Sequence, residues 1–174
     1  MVYRGINMAT TWVVDSNCFI HLGSMAHQEI VDDLSKSIPG GIYVTPGVHG
    51  EVRTVRFQRW KNKPNLLDKL KPILTTIGVG DDQIRGLASQ IGERAAPQDV
   101  DLSLMVLASK LAREGKDVTL VTDDFKMTTT SQKVNLGFST CPPSTFIQKL
   151  AKIGPKQAKS GLNSLSRRVR AAEM

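Results

Sequence analysis

The sequence predicts an α/β protein, a three-layer α/β/α sandwich built on a mainly parallel central sheet. Three observations carry this. The runs TWVV at 11–14 and VTLV at 118–121 are continuous apolar stretches rather than alternating ones, the pattern of strands buried on both faces. The segments between such runs repeat their apolar residues at helical spacing, so strands and helices alternate. Acidic residues stand where the apolar runs stop, at Asp15 and at Asp123-Asp124, and parallel sheets gather functional groups at the carboxyl ends of their strands.

Taken in order, 11–15 reads as a first buried strand, and 21–38 as helical, with Met25, Ile30, Leu34 and Ile38 on one stripe before Pro39-Gly40-Gly41 stops it. A short strand follows at 42–45. Pro46 suits the first turn of a helix that carries Val48, Glu51 and Val52. Residues 65–76 read as partly helical, interrupted by Pro72. Asp81 or Asp82 is placed to cap a helix with Ile84, Leu87, Ala88 and Ile91 in register. The segment 99–114 is apolar on nearly every face, which predicts a central buried helix ending at Gly115. A strand at 118–122, a loop and short strand within 134–140, and a helix from Ser144 to about Ile153 complete the pattern.

A length of 174 residues and a hydrophobic content of 40% suit one domain with a core. The reading is a single domain over 9–153 followed by a basic tail over 154–174. No uncharged apolar run approaches the ~20 residues of a membrane span, and Asp15 interrupts the one candidate for a signal-peptide core. Cys18 and Cys141 lie far apart with no CxxC pair, which excludes a zinc ribbon and points to buried thiols in a reducing cytoplasm.

The net charge of +7 is unevenly spread, with +5 carried by 151–174. That tail, with Arg167, Arg168 and Arg170, is rich in Gly, Ser and Lys and is expected to stay mobile until an anion orders it. A second basic stretch holds Arg53, Arg56, Arg59, Lys61, Lys63, Lys69 and Lys71 against Asp68, with Phe57 and Trp60 interleaved. Bases of this kind neutralise phosphates and aromatics stack on exposed nucleobases, so both stretches are candidate RNA contacts.

Asp15, Glu51, Asp101 and the Asp123-Asp124 pair each have an ordinary explanation: a helix cap, a carboxylate favoured by a helix dipole, or an Asx turn. Together they suggest more, because carboxylates converging in one crevice repel one another unless a cation lies between them. Asp15 is followed by Ser16 and Asn17, further oxygen donors suited to a hard cation.

Asp15-Ser16-Asn17 after a buried strand, Val48-x-x-Glu51 after a proline, Asp101 opening a central helix that reaches Ala108, and Thr122-Asp123-Asp124-Phe125 after a second strand resemble the PIN-domain nucleases. The order and the separations of 36, 50 and 23 residues between Asp15, Glu51, Asp101 and Asp124 fit that family over roughly 11–150. The resemblance implies Mg²⁺ or Mn²⁺ as cofactor and endonucleolytic cleavage of RNA. By position it assigns Asp15, Glu51, Asp101 and one of Asp123 and Asp124 to the metal, with Asp124 favoured. Thr122 and Asn17 are implied as orienting groups. The resemblance spans VapC-type toxins, which work with an antitoxin, and housekeeping enzymes that mature ribosomal RNA, and it is compatible with a homodimer. The competing reading is an RNA-binding protein that keeps the fold and the basic tail and uses the acids only for capping or for metal-stabilised structure.

Overall fold

The first strand, β1 (Thr11–Val14), is all apolar after its first residue, and Trp12, Val13 and Val14 are fully buried. It lies at the centre of a sheet whose strand order is β3-β2-β1-β4-β5, with β2 at Ile42–Val44, β3 at Leu74–Thr76, β4 at Val118–Val121 and β5 at Ser139–Cys141. Every pairing is parallel, with Trp12 opposite Ile42 on one side and opposite Thr119 on the other. The computed structural model describes residues 9–25, 28–38, 40–59, 66–92, 94 and 96–173.

Parallel strands need crossover connections, and here helices supply them. α1 (Ser16–Met25) and α2 (Gln28–Lys36) link β1 to β2, and α3 (Pro46–Arg59) and α4 (Leu66–Lys69) link β2 to β3. α5 (Asp81–Ile91) and α6 (Asp99–Arg113) carry the chain back across the sheet to β4, and α7 (Phe125–Val134) leads to β5. α8 (Pro143–Ile153) and α9 (Lys159–Glu173) follow. α1 touches α3, α4 and α9, whereas α5, α6 and α7 touch one another, so helices cover both faces of the sheet. The expected α/β/α sandwich is the observed one. Trp12 on β1 meets Phe146 of α8 with ring centroids 4.8 Å apart, and α6 buries Leu102 to Ala108 without a break against β1 and β4. No helix among the described residues is long and apolar enough to cross a membrane.

The turn into β2 requires a glycine. Gly41 has φ +77°, and a Cβ there would stand 2.7 Å from the Ile73 carbonyl oxygen in the turn that precedes β3.

Several expectations are corrected. The helix expected over 21–38 begins earlier, at Ser16, and is described as two, α1 and α2. The stretch 65–76 ends in a strand, β3, after a 3-10 turn at Lys71–Ile73. α5 is capped by Gly80, whose N–H donates to Gln83 Oε1, and Asp81 and Asp82 sit in the first turn where the helix dipole favours them. The N-cap of α8 is Pro142 rather than Ser144. α7 occupies a stretch to which the sequence pattern assigned no element.

The largest correction concerns the tail. Residues 159–173 are not a mobile segment but the helix α9, packed on α8, α1 and α2. Leu162, Leu165, Ser166 and Val169 are buried on one face, while Arg167, Arg168 and Arg170 are exposed on the other. Glu173 at its end accepts hydrogen bonds from the Ser144 N–H (2.7 Å) and hydroxyl (2.8 Å), tying α9 to the start of α8. A spacing of three and four between apolar residues holds the helix down although its overall composition is polar.

Candidate metal centre

Strand order reverses direction at β1: β2 and β3 lie to one side and β4 and β5 to the other. The crevice outside the carboxyl ends of two such neighbouring strands is where open α/β sheets place ligands. Asp15 leaves β1 there and Thr122 leaves β4, and the Asp15 N–H bonds to the Val121 carbonyl at 3.0 Å. A cavity of about 330 Å³ opens at this point, lined by Asp15, Ser16, Asn17, Glu51, Pro97, Gln98, Asp101, Asp124 and Lys126. Four carboxylates from four separate segments therefore face one cleft.

The ordinary explanations for these acids separate once the helices are in place. Asp101 does not cap α6; the N-cap is Gln98, without a side-chain bond, and Asp101 stands in the first turn, where the helix dipole favours it. Glu51 lies beyond the first turn of α3, so a dipole interaction does not account for it. Asp124 does cap α7, accepting the N–H groups of Lys126 at 2.8 Å and Met127 at 3.4 Å. Both bonds fall on Oδ1, which leaves Oδ2 for another partner. Asp15 is 2% exposed, and its two oxygens meet Ser16 Oγ at 3.2 Å and Thr122 Oγ1 at 2.9 Å.

Two hydroxyls organise the acids. Thr122 Oγ1 donates to Asp15 Oδ2 and accepts the Asp124 N–H at 3.0 Å, so one side chain sets the separation of two carboxylate segments. Ser16 Oγ lies 2.7 Å from Glu51 Oε1 as well as 3.2 Å from Asp15 Oδ1. A hydroxyl has one proton to give, so it satisfies one of these carboxylates at a time.

The electrostatics agree. Burial, followed by the charges of Asp15, Asp124 and Glu51, pushes the Asp101 carboxyl up to about 7, with Lys126 acting against the rise. Burial also raises Asp15 above the usual carboxylate range, opposed by its bonds to Thr122 and Ser16. Near neutral pH the cluster thus tends to retain a proton, and a divalent cation would take that proton's place. An all-oxygen donor set of this charge suits Mg²⁺ or Mn²⁺. The carboxylates line an open cleft; among the described residues no three acidic, histidine or cysteine side chains form a group that could hold a metal ion as they stand.

Not every expected site residue enters the cleft. Asp123 points away, into a neighbouring cavity lined by Thr122, Thr128, Gln132, Thr140, Cys141, Pro142 and Glu173, and its Oδ2 lies 3.1 Å from His21 Nε2. Of the two acids between which the sequence left the choice, Asp124 is the one that lines the cleft. Asp123→Asn is expected to leave Mn²⁺ affinity within about twofold, whereas Asp124→Asn should lower it at least ~10-fold; calorimetric titration of both variants checks this. Asp99 pairs with Arg85 outside the cleft. Asn17 lines the cleft and is exposed. Arg53 is exposed on α3, Arg56 and Arg59 follow on the same helix, and Trp60, Lys61 and Lys63 lie outside the described residues.

Sequence reasoning gave no role at the cleft to Gln98 and Lys126, and treated Ser16 only as a nearby oxygen donor. A lysine two residues after Asp124 is an ordinary surface residue until α7 is known to start between them. No family model matches the chain, and no curated protein sequence matches it. The class of protein is therefore defined by fold and cleft alone: an all-parallel α/β sandwich with a cluster of carboxylates at its topological switch point.

Proposed function

We propose that the protein is a divalent-metal-dependent endoribonuclease that hydrolyses phosphodiester bonds. The observation that carries the reading is the convergence of Asp15, Glu51, Asp101 and Asp124 on one cleft at the β1/β4 edge, with Lys126 beside them. Asp15, Asp101 and Asp124 would hold Mg²⁺ or Mn²⁺, and Glu51 would hold it through water or take up a proton. The ion supplies Lewis-acid activation of the phosphate and of water at near-neutral pH.

The chain's own groups do the rest. Thr122 fixes the orientation of Asp15 and the position of the Asp124 backbone. Ser16 holds Glu51 at the cleft wall, where its carboxylate is placed to accept a proton from attacking water. Lys126 offers an ammonium to a phosphate oxygen. Arg53 on α3, and Arg167, Arg168 and Arg170 on α9, are exposed cations available to a longer strand, which favours a nucleic acid as the partner.

Asp15→Asn is expected to reduce Mn²⁺-dependent cleavage of an unstructured RNA by at least ~100-fold, since even an indirect partner of a metal ligand is worth ~10–100-fold. Cleavage at the wild-type rate would refute the proposal. Intact RNA binding in a wild-type protein that takes up no Mn²⁺ in calorimetry would instead favour a binding protein without catalysis. Growth arrest on expression, relieved by a cognate antitoxin, separates a toxin from an enzyme that processes ribosomal RNA, and sedimentation of the purified chain reads out a homodimer.

A further inference from the structure

Gly47 is where α3 meets α6. A Cβ built on it would stand 2.8 Å from Val100 Cγ2 and 3.2 Å from Val100 Cγ1. Carbon atoms pack at about 3.5–4.0 Å, so a side chain there would force the two helices apart. Val100 cannot simply turn away, because a β-branched residue in a helix is held to one rotamer. The approach is this close only because residue 47 has no side chain. Val100 stands immediately before Asp101 in the first turn of α6, and Gly47 stands one turn before Glu51 on α3. Asp101 and Glu51 both line the acidic cleft, so the Gly47–Val100 contact governs how near these two walls come.

A second tie braces the same joint. Thr45, the residue before α3, and Ser103 on α6 are both buried, with their hydroxyls 2.7 Å apart. Ser103 Oγ donates to the Val100 carbonyl at 2.6 Å, so Thr45 supplies the proton between the two hydroxyls. The start of α3 is thereby bound to the turn of α6 that carries Val100 and Asp101. Gly50 on the same helix offers the contrast, since a Cβ there would meet nothing within 4 Å. Glycine is a poor helix former, and at Gly47 alone of the two a close approach requires it.

We infer that Gly47 is a positioning residue for the acidic cleft: by seating α3 directly on Val100 it brings the Glu51 wall close enough to the Asp101 wall to favour a small divalent cation over a large one. The inference rests on the metal-site reading of the cleft and names what selects its ion. Mg²⁺ takes oxygen ligands at about 2.0–2.1 Å and Ca²⁺ at about 2.3–2.6 Å, so a wall moved outward penalises the smaller ion more. Gly47 touches no ion and acts through the placement of Glu51.

The test uses the full chain loaded with Mn²⁺, which Mg²⁺ or Ca²⁺ then displaces, the released Mn²⁺ being read by electron paramagnetic resonance. Gly47→Ala is expected to weaken Mg²⁺ binding ~10-fold, the scale of an indirect partner of a metal ligand, and Ca²⁺ binding by less than about threefold. Gly50→Ala should match wild type with both ions. Adding Val100→Ala to Gly47→Ala removes the opposing methyl groups and should return the Mg²⁺/Ca²⁺ preference to within about twofold of wild type, which a merely destabilised helix would not do. Should Gly47→Ala fail to fold, Val100→Ile adds a methyl group to the other side of the contact and must shift the preference the same way. An unchanged preference in the folded variant, or a loss that Val100→Ala does not rescue, overturns the inference and leaves the metal site standing. A wild-type protein that takes up no Mn²⁺ overturns the metal-site reading and this inference with it.

Discussion

Asp101→Asn is expected to abolish the proposed Mn²⁺-dependent RNA cleavage and, at pH 7.5 without metal, to make the protein more stable than wild type. The two effects share one cause. Asp101 is held near 7 by burial and by three surrounding carboxylates. An acid whose pKa is raised on folding binds its proton more tightly in the native state than in the unfolded chain. Its contribution to stability therefore declines as pH rises from about 4 through about 7, and the loss is complete above that. A rise from the ordinary value to about 7 would correspond to ~4 kcal/mol if unscreened, but the group is half exposed, so on the order of 1–2 kcal/mol is expected. Asparagine keeps the shape and removes the charge. Thermal melts between pH 5 and 8, with and without Mn²⁺, give the result. Wild type should lose stability across this range without metal and regain it with Mn²⁺, while the variant should do neither. A variant less stable than wild type at pH 7.5 without metal would contradict the strain assigned to the cluster.

Deleting residues 159–174 should prevent folding rather than trim a tail. Leu162, Leu165 and Val169 are completely buried, and burial of a Val or Leu side chain is worth ~1.5–3 kcal/mol. Together they contribute on the order of 5–9 kcal/mol, as an upper bound. That is comparable with the ~5–15 kcal/mol net stability of an ordinary domain. The deletion also removes Glu173 from the Ser144 N–H and uncovers the apolar face of α8. The milder change Leu165→Ala should cost ~2–5 kcal/mol and leave Mn²⁺ affinity unchanged under native conditions. Urea unfolding followed by circular dichroism measures both. A truncated protein unfolding within about 1 kcal/mol of full length would show that α9 is an appendage after all.

Much of the candidate site could be read from the chain, because burial and charge alternate so sharply around Asp15, Asp101 and Asp124. Where reading failed, the physical reasons differ. β3 spans three residues, two of them exposed, so no apolar run marks it. α7 contains Lys126-Met127-Thr128-Thr129-Thr130-Ser131, a stretch with modest helix propensity, and depends on the Asp124 cap and on buried Met127 to form. In α9 a sound amphipathic stripe was obscured by glycine, serine and arginine between its apolar positions, because composition reports solvation while spacing reports burial.

The sequence alone determined the fold class, since unbroken apolar strands alternating with helices have to be covered on both faces, and it determined the order of the acids along the chain. It did not determine which carboxylates share a cleft. That was decided by the strand order, which sets β1 against β4 and brings Thr122 to within 2.9 Å of Asp15 across 107 residues of sequence. The same packing sends Asp123 to His21 and Asp124 into the cleft, because consecutive side chains leaving a strand point in different directions.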